Sequence, residues 1–429
     1  MRLPRIPRAA RLLLRVAVLA LSARAAVAGA APAGTGATGG AEAAPAFSAA
    51  DEALYRERFQ RLLKAARTGV GLNAYDPLEA VPGAAPAEPL PRRDADDRRI
   101  DAAALASARA YAASMNSNAL LIWLDGALEL EAYFGGHERD DAVISRSLAK
   151  PLGAVAVGRA LALGHIRSLD QPVSDFISEW RGDDLRSRIR VRHLLNMHAG
   201  LLPQGRTADP EHILNRAYLH PRHDEVIIHD YPVVDEPGTR FEYSNATAEL
   251  VAVLIERASG QRYADFLSRE LLQPLGAAGG KIWVNRPGGT AHAGCCILLP
   301  AQSWLRLARL LLDDGMVSGK RLLPAGYVDA MRQPSPDNPR YGLGVYLPGD
   351  YVKRRGFTNP DGDGDLGRGV LHSAPYLLED LFLFDGNGNQ VVYIAPSEQL
   401  IVLRTGSFPD RGREWDNSYL PNLVAASLR

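Results

Sequence analysis

The stretch ISRSLAKPLGAV, Ile144 to Val155, sets a serine and a lysine three residues apart at the head of a run of small apolar residues. Residues at this spacing share one face of a helix, so Lys150 can reach the hydroxyl of Ser147. Serine is a weak nucleophile until a base takes its proton. A lysine becomes that base when burial lowers its pKa, and the apolar residues that follow supply the burial. Pro151 is tolerated only near a helix start, which predicts a helix beginning close to Ser147 and sets the serine at the positive end of its dipole. Against this, a residue preceding proline disfavours helical angles, and that residue is Lys150. The other reading is an N-capping serine beside a solvated lysine. With 22 serines and five lysines in the chain, about 0.3 such pairs arise by chance, so the pair needs support from elsewhere.

Support comes from GTRFEYSNATAELV, Gly238 to Val251, where Tyr243-Ser244-Asn245 opens a second helix. A phenol titrates near lysine, so a Lys–Tyr pair can relay a proton. Asn245 offers both a donor and an acceptor to an amide-like substrate. The alternative is a plain helix N-terminus, capped by Ser244 or Asn245, with the tyrosine packed in the core.

Around these two segments the pattern runs helix, hairpin, helices, strands, helix. DAAALASARAYAASMN reads as a helix, and ALLIWLDGALELEAYFG as two strands about the Asp125-Gly126 turn. A long, mainly helical middle follows, with glycine stops. After about Arg340 strands return in YGLGVYLP, LLEDLFLFDG, NQVVYIAP and QLIVLRTG, and a short helix over about 418–428 closes the chain. This order implies an α/β (α+β) fold in which the early hairpin joins the late strands in one antiparallel sheet flanked by helices. The sheet lobe then comprises 100–142 and 340–429, and the helical lobe 143–339.

Ser147-x-x-Lys150 followed by Tyr243-x-Asn245 resembles the serine β-lactamase and penicillin-recognising superfamily. The closest likeness is to its branch of class C β-lactamases, D,D-peptidases, esterases and 6-aminohexanoate-dimer hydrolases. The phrases GHIRSLDQPVSDFI, IRVRHLLNMHAGL, EPGTRFEYSNATAELVAVLIERASGQRYADFL and LRLARLLLDDGMVSGKRLLP carry the same likeness, from about Ile100 to the C-terminus. The resemblance implies a β-lactamase/transpeptidase-like fold, a Ser147 nucleophile, Lys150 and Tyr243 as its proton relay, and no metal or cofactor.

The family's third box, Lys-Thr-Gly or His-Thr-Gly on an edge strand, has no clean counterpart. Arg404-Thr405-Gly406 ends the last strand, whereas the family places the box two strands earlier. LFDGNGNQ lies there and resembles the Gly-x-x-Gly-Gln of the nylon-oligomer-hydrolase branch. This makes Gly386 the box glycine and the Asn387 N–H the second oxyanion donor, beside the Ser147 N–H. Phe384-Asp385 then replaces the Lys-Thr pair that would hold a substrate carboxylate. Ester or linear-amide hydrolysis is expected ahead of β-lactamase or D,D-carboxypeptidase activity. A wall-fragment sensor keeping only the fold is the reading from another class.

The rest of the chain bounds these readings. The formal net charge is zero, which argues against wholesale binding of nucleic acid or an anionic membrane, and the resemblance implies a small ester, amide or peptide-like molecule as the partner. Residues 1–28 read as a signal peptide, with Arg2, Arg5, Arg8 and Arg11 ahead of an apolar run too short to span a bilayer. A periplasmic or secreted location is therefore expected. Residues 29–99 read as a linker and N-terminal extension containing one amphipathic helix, DEALYRERFQRLLKAA. Cys295 and Cys296 are expected to be buried small residues rather than a vicinal disulfide. His220, His223 and His229 lack a companion cysteine or second tight pair, so they read as loop histidines rather than zinc ligands. His292 receives no role, and His198 reads as packing. Asn359 to Gly367 resembles the start of a calcium loop but has Val370 where a glutamate is required, so a surface turn is expected.

Overall fold

The computed structural model describes residues 47–68, 75–85, 87–205, 207–356 and 369–429. Residues 1–28, read above as a signal peptide, and Asn359 to Gly367, read above as a surface turn, lie outside them. In chain order the elements that position the site are helix α1 (Ala49–Thr68), strand β1 (Leu78–Val81), helix α2 (Ala102–Ser114), strands β2 (Ser117–Leu124), β3 (Ala127–Tyr133) and β4 (Val143–Ile144), and helices α3 (Ala149–Ala162) and α4 (Asn245–Ser259). Strands β5 (Gly280–Trp283) and β6 (Ile297–Leu299), helix α5 (Ala301–Leu312), strands β7 (Phe382–Gly386), β8 (Gln390–Ala395) and β9 (Leu400–Gly406), and helix α6 (Tyr419–Ala425) complete them.

The five-stranded sheet has the order β7-β8-β9-β2-β3 and every pairing is antiparallel. The expected union of the early hairpin with the late strands is therefore present, through β9 and β2. Its two faces separate by strict alternation. Leu120, Ile122, Val391, Tyr393 and Val402 face one way, in a core shared with Ala104 and Ala108 of α2 and with Leu420 and Val424 of α6. Leu121, Trp123, Val392, Ile394 and Leu403 face the other way, toward the core that contains α3, α4 and α5. A sheet covered on both faces buries both alternating sets of side chains, which is why β8 and β9 read as continuous apolar runs.

Three features differ from the sequence reading. The helical lobe carries its own four-stranded sheet, ordered β1-β5-β6-β4. Its edge strand β1 comes from the segment before Ile100 and pairs with β5, Leu78 opposite Trp283. Helix α1 also docks, burying Tyr55 and Phe59 in a cluster with Tyr75, Leu219 and Trp283. Second, YGLGVYLP is not a strand. Gly344 adopts φ +77° there, and a Cβ on it would lie 2.9 Å from Ala154 and 3.2 Å from the Lys150 carbonyl. The segment is a loop pressed onto α3. Third, Cys295 and Cys296 are buried as expected but joined as a vicinal disulfide, where the sequence reading favours two separate thiols. Among the described residues no helix is long and apolar enough to cross a membrane.

Candidate active site

The helix start expected at Ser147 resolves into two pieces. Arg146–Leu148 form a single 3₁₀ turn, and α3 begins at Ala149. Lys150 lies in the first helical turn directly before Pro151, where the missing proline N–H has no partner to lose. The turn hangs from the second sheet: the Ser145 N–H donates to the Ile297 carbonyl at 2.8 Å, and Val143 pairs with Leu299. Arg146 takes a left-handed φ of +52°, and its guanidinium is bonded to the Tyr75 hydroxyl. The N-terminal extension thus reaches the residue beside Ser147.

Ser147 is half-buried, and two groups converge on its Oγ. Lys150 Nζ lies 3.1 Å away and the Tyr243 hydroxyl donates to it at 2.9 Å. Lys150 Nζ is also held by Asn245 Oδ1 at 2.9 Å and by the Gly294 carbonyl at 2.8 Å. Burial pushes the Lys150 pKa down to about 7, with the charge of Glu249 acting the other way. Burial pushes Tyr243 up to about 12, a shift moderated by its bond to Ser147. The result is a lysine that can be neutral near pH 7 beside a phenol that keeps its proton. Since Asn245 Oδ1 is engaged by Lys150, its amide NH₂ remains the end available to a ligand.

Helix α4 sets Asn245 at its first residue and ends on Gly260 at φ +69°, the left-handed stop that glycine allows. Ser244 is the N-cap by position, but its hydroxyl donates instead to the Leu202 carbonyl at 3.3 Å. Tyr243 packs with Met197, Phe241 and Tyr341, and Tyr346 stands perpendicular to Tyr341 at 4.9 Å. His198 packs as expected, and it does more. Its Nε2 lies 2.5 Å from Asp337 Oδ1, while Asp337 Oδ2 accepts the Phe241 N–H at 2.7 Å, bracing the backbone two residues before Tyr243.

Strand β7 brings Gly386 against the turn that carries Ser147. A Cβ there would lie 3.1 Å from the Ser145 carbonyl oxygen and 3.2 Å from the Leu148 nitrogen. Asn387 follows, exposed, as the first residue of the β7–β8 turn. Gln390 Nε2 ties that turn to the Ile144 carbonyl at 2.8 Å. Arg404 is fully buried and donates to the Gly388 and Asn389 carbonyls at 2.7 and 2.9 Å and to Ser117 Oγ at 2.8 Å. Its guanidinium is consumed in holding the β7–β8 turn, so Arg404-Thr405-Gly406 presents no cation to a ligand. Phe384 is buried in the core. Asp385 pairs with the buried Arg355.

The histidines scatter. His220 packs between Phe47 and Tyr55 at the α1 interface, and His229 lies half-buried farther along the same segment. His223 instead meets Glu249 and His292, all buried, the one group of potential metal ligands among the described residues. Sequence reasoning missed Glu249, although its spacing carries a signal. It lies four residues after Asn245, so it shares that residue's face of an otherwise apolar helix.

Known proteins share this arrangement of chain. A family model described as Beta-lactamase matches residues 97–405. A 6-aminohexanoate-dimer hydrolase from Paenarthrobacter ureafaciens is 27% identical over 259 residues, covering 58% of this chain and 64% of that enzyme. The match therefore spans less than two thirds of that relative's length. Among solved structures, a Bacillus anthracis protein assigned to the 6-aminohexanoate-dimer hydrolases superposes with a TM-score of 0.61 at 16% identity, covering 79% of this chain and 87% of that one. EstCE1, a hydrolase with promiscuous acyltransferase activity, gives 0.54 at 17% identity, covering 76% and 98%. These two likenesses concern the fold. Taken with the family model, which spans most of the described chain, they identify this protein as a member of the β-lactamase family with a β-lactamase-like α/β fold.

Proposed function

We propose that the protein is an exported serine hydrolase that cleaves an ester or a linear amide through an acyl-enzyme on Ser147. The observation that carries this reading is the convergence of Lys150 Nζ and the Tyr243 hydroxyl on one serine oxygen, at 3.1 and 2.9 Å. Neutral Lys150, directly or through Tyr243, takes the Ser147 proton as Oγ attacks the carbonyl carbon. The oxyanion lies between the Ser147 and Asn387 N–H groups. The leaving group departs with a proton passed through Tyr243, and water releases the acyl group by the same relay. Asn245 offers its amide NH₂ to the substrate.

The wall beside Gly386 supports the substrate class. Phe384 is turned into the core and Asp385 is neutralised by Arg355, so neither supplies the cation and hydroxyl that hold a penicillin or D-Ala-D-Ala carboxylate. The test is a panel of activated esters, linear amides and β-lactams, with a fluorophosphonate probe read by intact mass. Wild type should turn over the esters or amides and gain one probe adduct. Ser147→Ala should lose the adduct and about 10⁴-fold or more in turnover. An adduct that survives the substitution refutes the nucleophile, and rapid β-lactam turnover refutes the substrate class. Export is checked separately, by finding the mature protein outside the cytoplasm with its N-terminus near residue 29.

A further inference from the structure

We propose that His223, Glu249 and His292 form a binding site for one divalent transition-metal cation, zinc by its donor set, directly behind the lysine of the active site. The three side chains are 0%, 1% and 0% exposed. No nitrogen or oxygen of these side chains reaches a partner at hydrogen-bonding geometry, although the Ala293 and Gly294 N–H groups lie near Glu249. Buried polar groups in native proteins almost always find a partner, so three neighbouring ones left open together require an explanation. A shared cation supplies it, since an imidazole nitrogen and a carboxylate oxygen are the atoms zinc takes.

The spacing fits. His292 Nδ1 lies 3.5 Å from one Glu249 oxygen and His223 Nε2 lies 3.8 Å from the other. These separations are long for hydrogen bonds, and ligands of one tetrahedral zinc stand about 3.3–3.4 Å apart. The three ligand atoms all lie within 4.8 Å of one another, so drawing both imidazoles and the carboxylate onto one ion takes a side-chain movement of about 1 Å. His292 stacks on Trp283 at 3.7 Å and His223 stacks on His292 at 4.1 Å, both within 12° of parallel, so one imidazole has to turn out of this stack for both nitrogen lone pairs to meet the ion. Asp224, the other carboxylate nearby, is already taken by Asn285 and Thr290 at 2.7 Å each.

This site revises the expectation of a metal-free protein. It also has a place in the architecture. Glu249 is one helical turn beyond Asn245, and Gly294 is two residues beyond His292. Asn245 and Gly294 are the two groups that hold Lys150 Nζ. The cation would brace both at once and act through position, without touching substrate.

The test uses the full mature chain without a histidine tag. Metal content as purified, and after chelator dialysis followed by readdition of Zn²⁺, should approach one equivalent per chain. Co²⁺ should give the d–d absorption of a tetrahedral site, and Zn²⁺ should raise the melting temperature of the apoprotein. Glu249→Gln and His292→Gln should weaken Zn²⁺ binding by at least about 100-fold, whereas His137→Gln, in the exposed loop after β3, should leave it unchanged. Should the site variants fail to fold, the melting shift and cobalt spectrum of wild type still decide. A wild-type protein that takes up neither ion, or takes them up equally in folded Glu249→Gln, overturns the proposal.

Discussion

The turn around Ser147 and the end of strand β7 meet at the site, and they are held there by opposite means. At Ser147 the fixing is done by side chains, with Lys150, Tyr243 and Asn245 joined by bonds of 2.9–3.1 Å. At Gly386 it is done by the lack of one, since any Cβ would press on Ser145 and Leu148. The adjoining turn is then held by Arg404, eighteen residues further along the chain. One half of the site is written in the residues that act. The other half is written in backbone placement, and the residues responsible for it stand elsewhere.

The contrast can be tested by breaking each half in turn. The largest effect is expected at Lys150→Ala, a loss of about 10³-fold in kcat with KM little changed, measured on the best ester. The wild-type pH profile belongs to the same half. Lys150 faces Tyr243, Glu249 and Ser147, and its pKa lies near 7 while that of Tyr243 lies near 12. The base works only when neutral, so kcat/KM should rise as pH increases through about 7 and hold level well into the alkaline range. A falling limb near neutrality would assign the proton transfer to another group.

Gly386→Val attacks the other half. The added side chain has to push β7 away from the nucleophile turn, and loss of one oxyanion donor costs about 10²–10³ in kcat. The acid limb of the pH profile should stay where it is, because Lys150 keeps its partners. A shifted limb would mean that the two halves are not separable. Arg404→Met removes the donors to Gly388 and Asn389 and should lower stability by about 2–4 kcal/mol in denaturant unfolding, with a smaller loss of turnover than Gly386→Val. Asn387→Ala should matter least, since only the main-chain N–H is assigned a role. A large loss there would place the Asn387 side chain in the chemistry.

The same contrast explains what could be read from the sequence. Ser147, Lys150, Tyr243 and Asn245 are legible because their chemistry resides in side chains at fixed short spacings. The five-stranded sheet is legible because strands covered on both faces must be apolar throughout, as in NQVVYIAP. Arg355 is not legible, because its partner Asp385 is distant in sequence and no local pattern joins them. Glu249 and His292 meet only through tertiary packing, so neither marks a site by itself. The YGLGVYLP segment misleads for a related reason. Its alternating apolar residues fit a strand, but Gly344 takes a left-handed turn that lets the chain lie against α3.

Strand β1 shifts the boundary of the working unit. The segment matched by the family model starts at residue 97, after β1 and Tyr75. A protein trimmed to that boundary would leave β5 with unpaired main-chain groups along an open edge, an invitation to intermolecular strand addition. It would also release Arg146 from its anchor, next to Ser147. The segment matched by the family model and the stretch of chain that packs around Ser147 are therefore different lengths, and engineering of this protein should begin no later than helix α1.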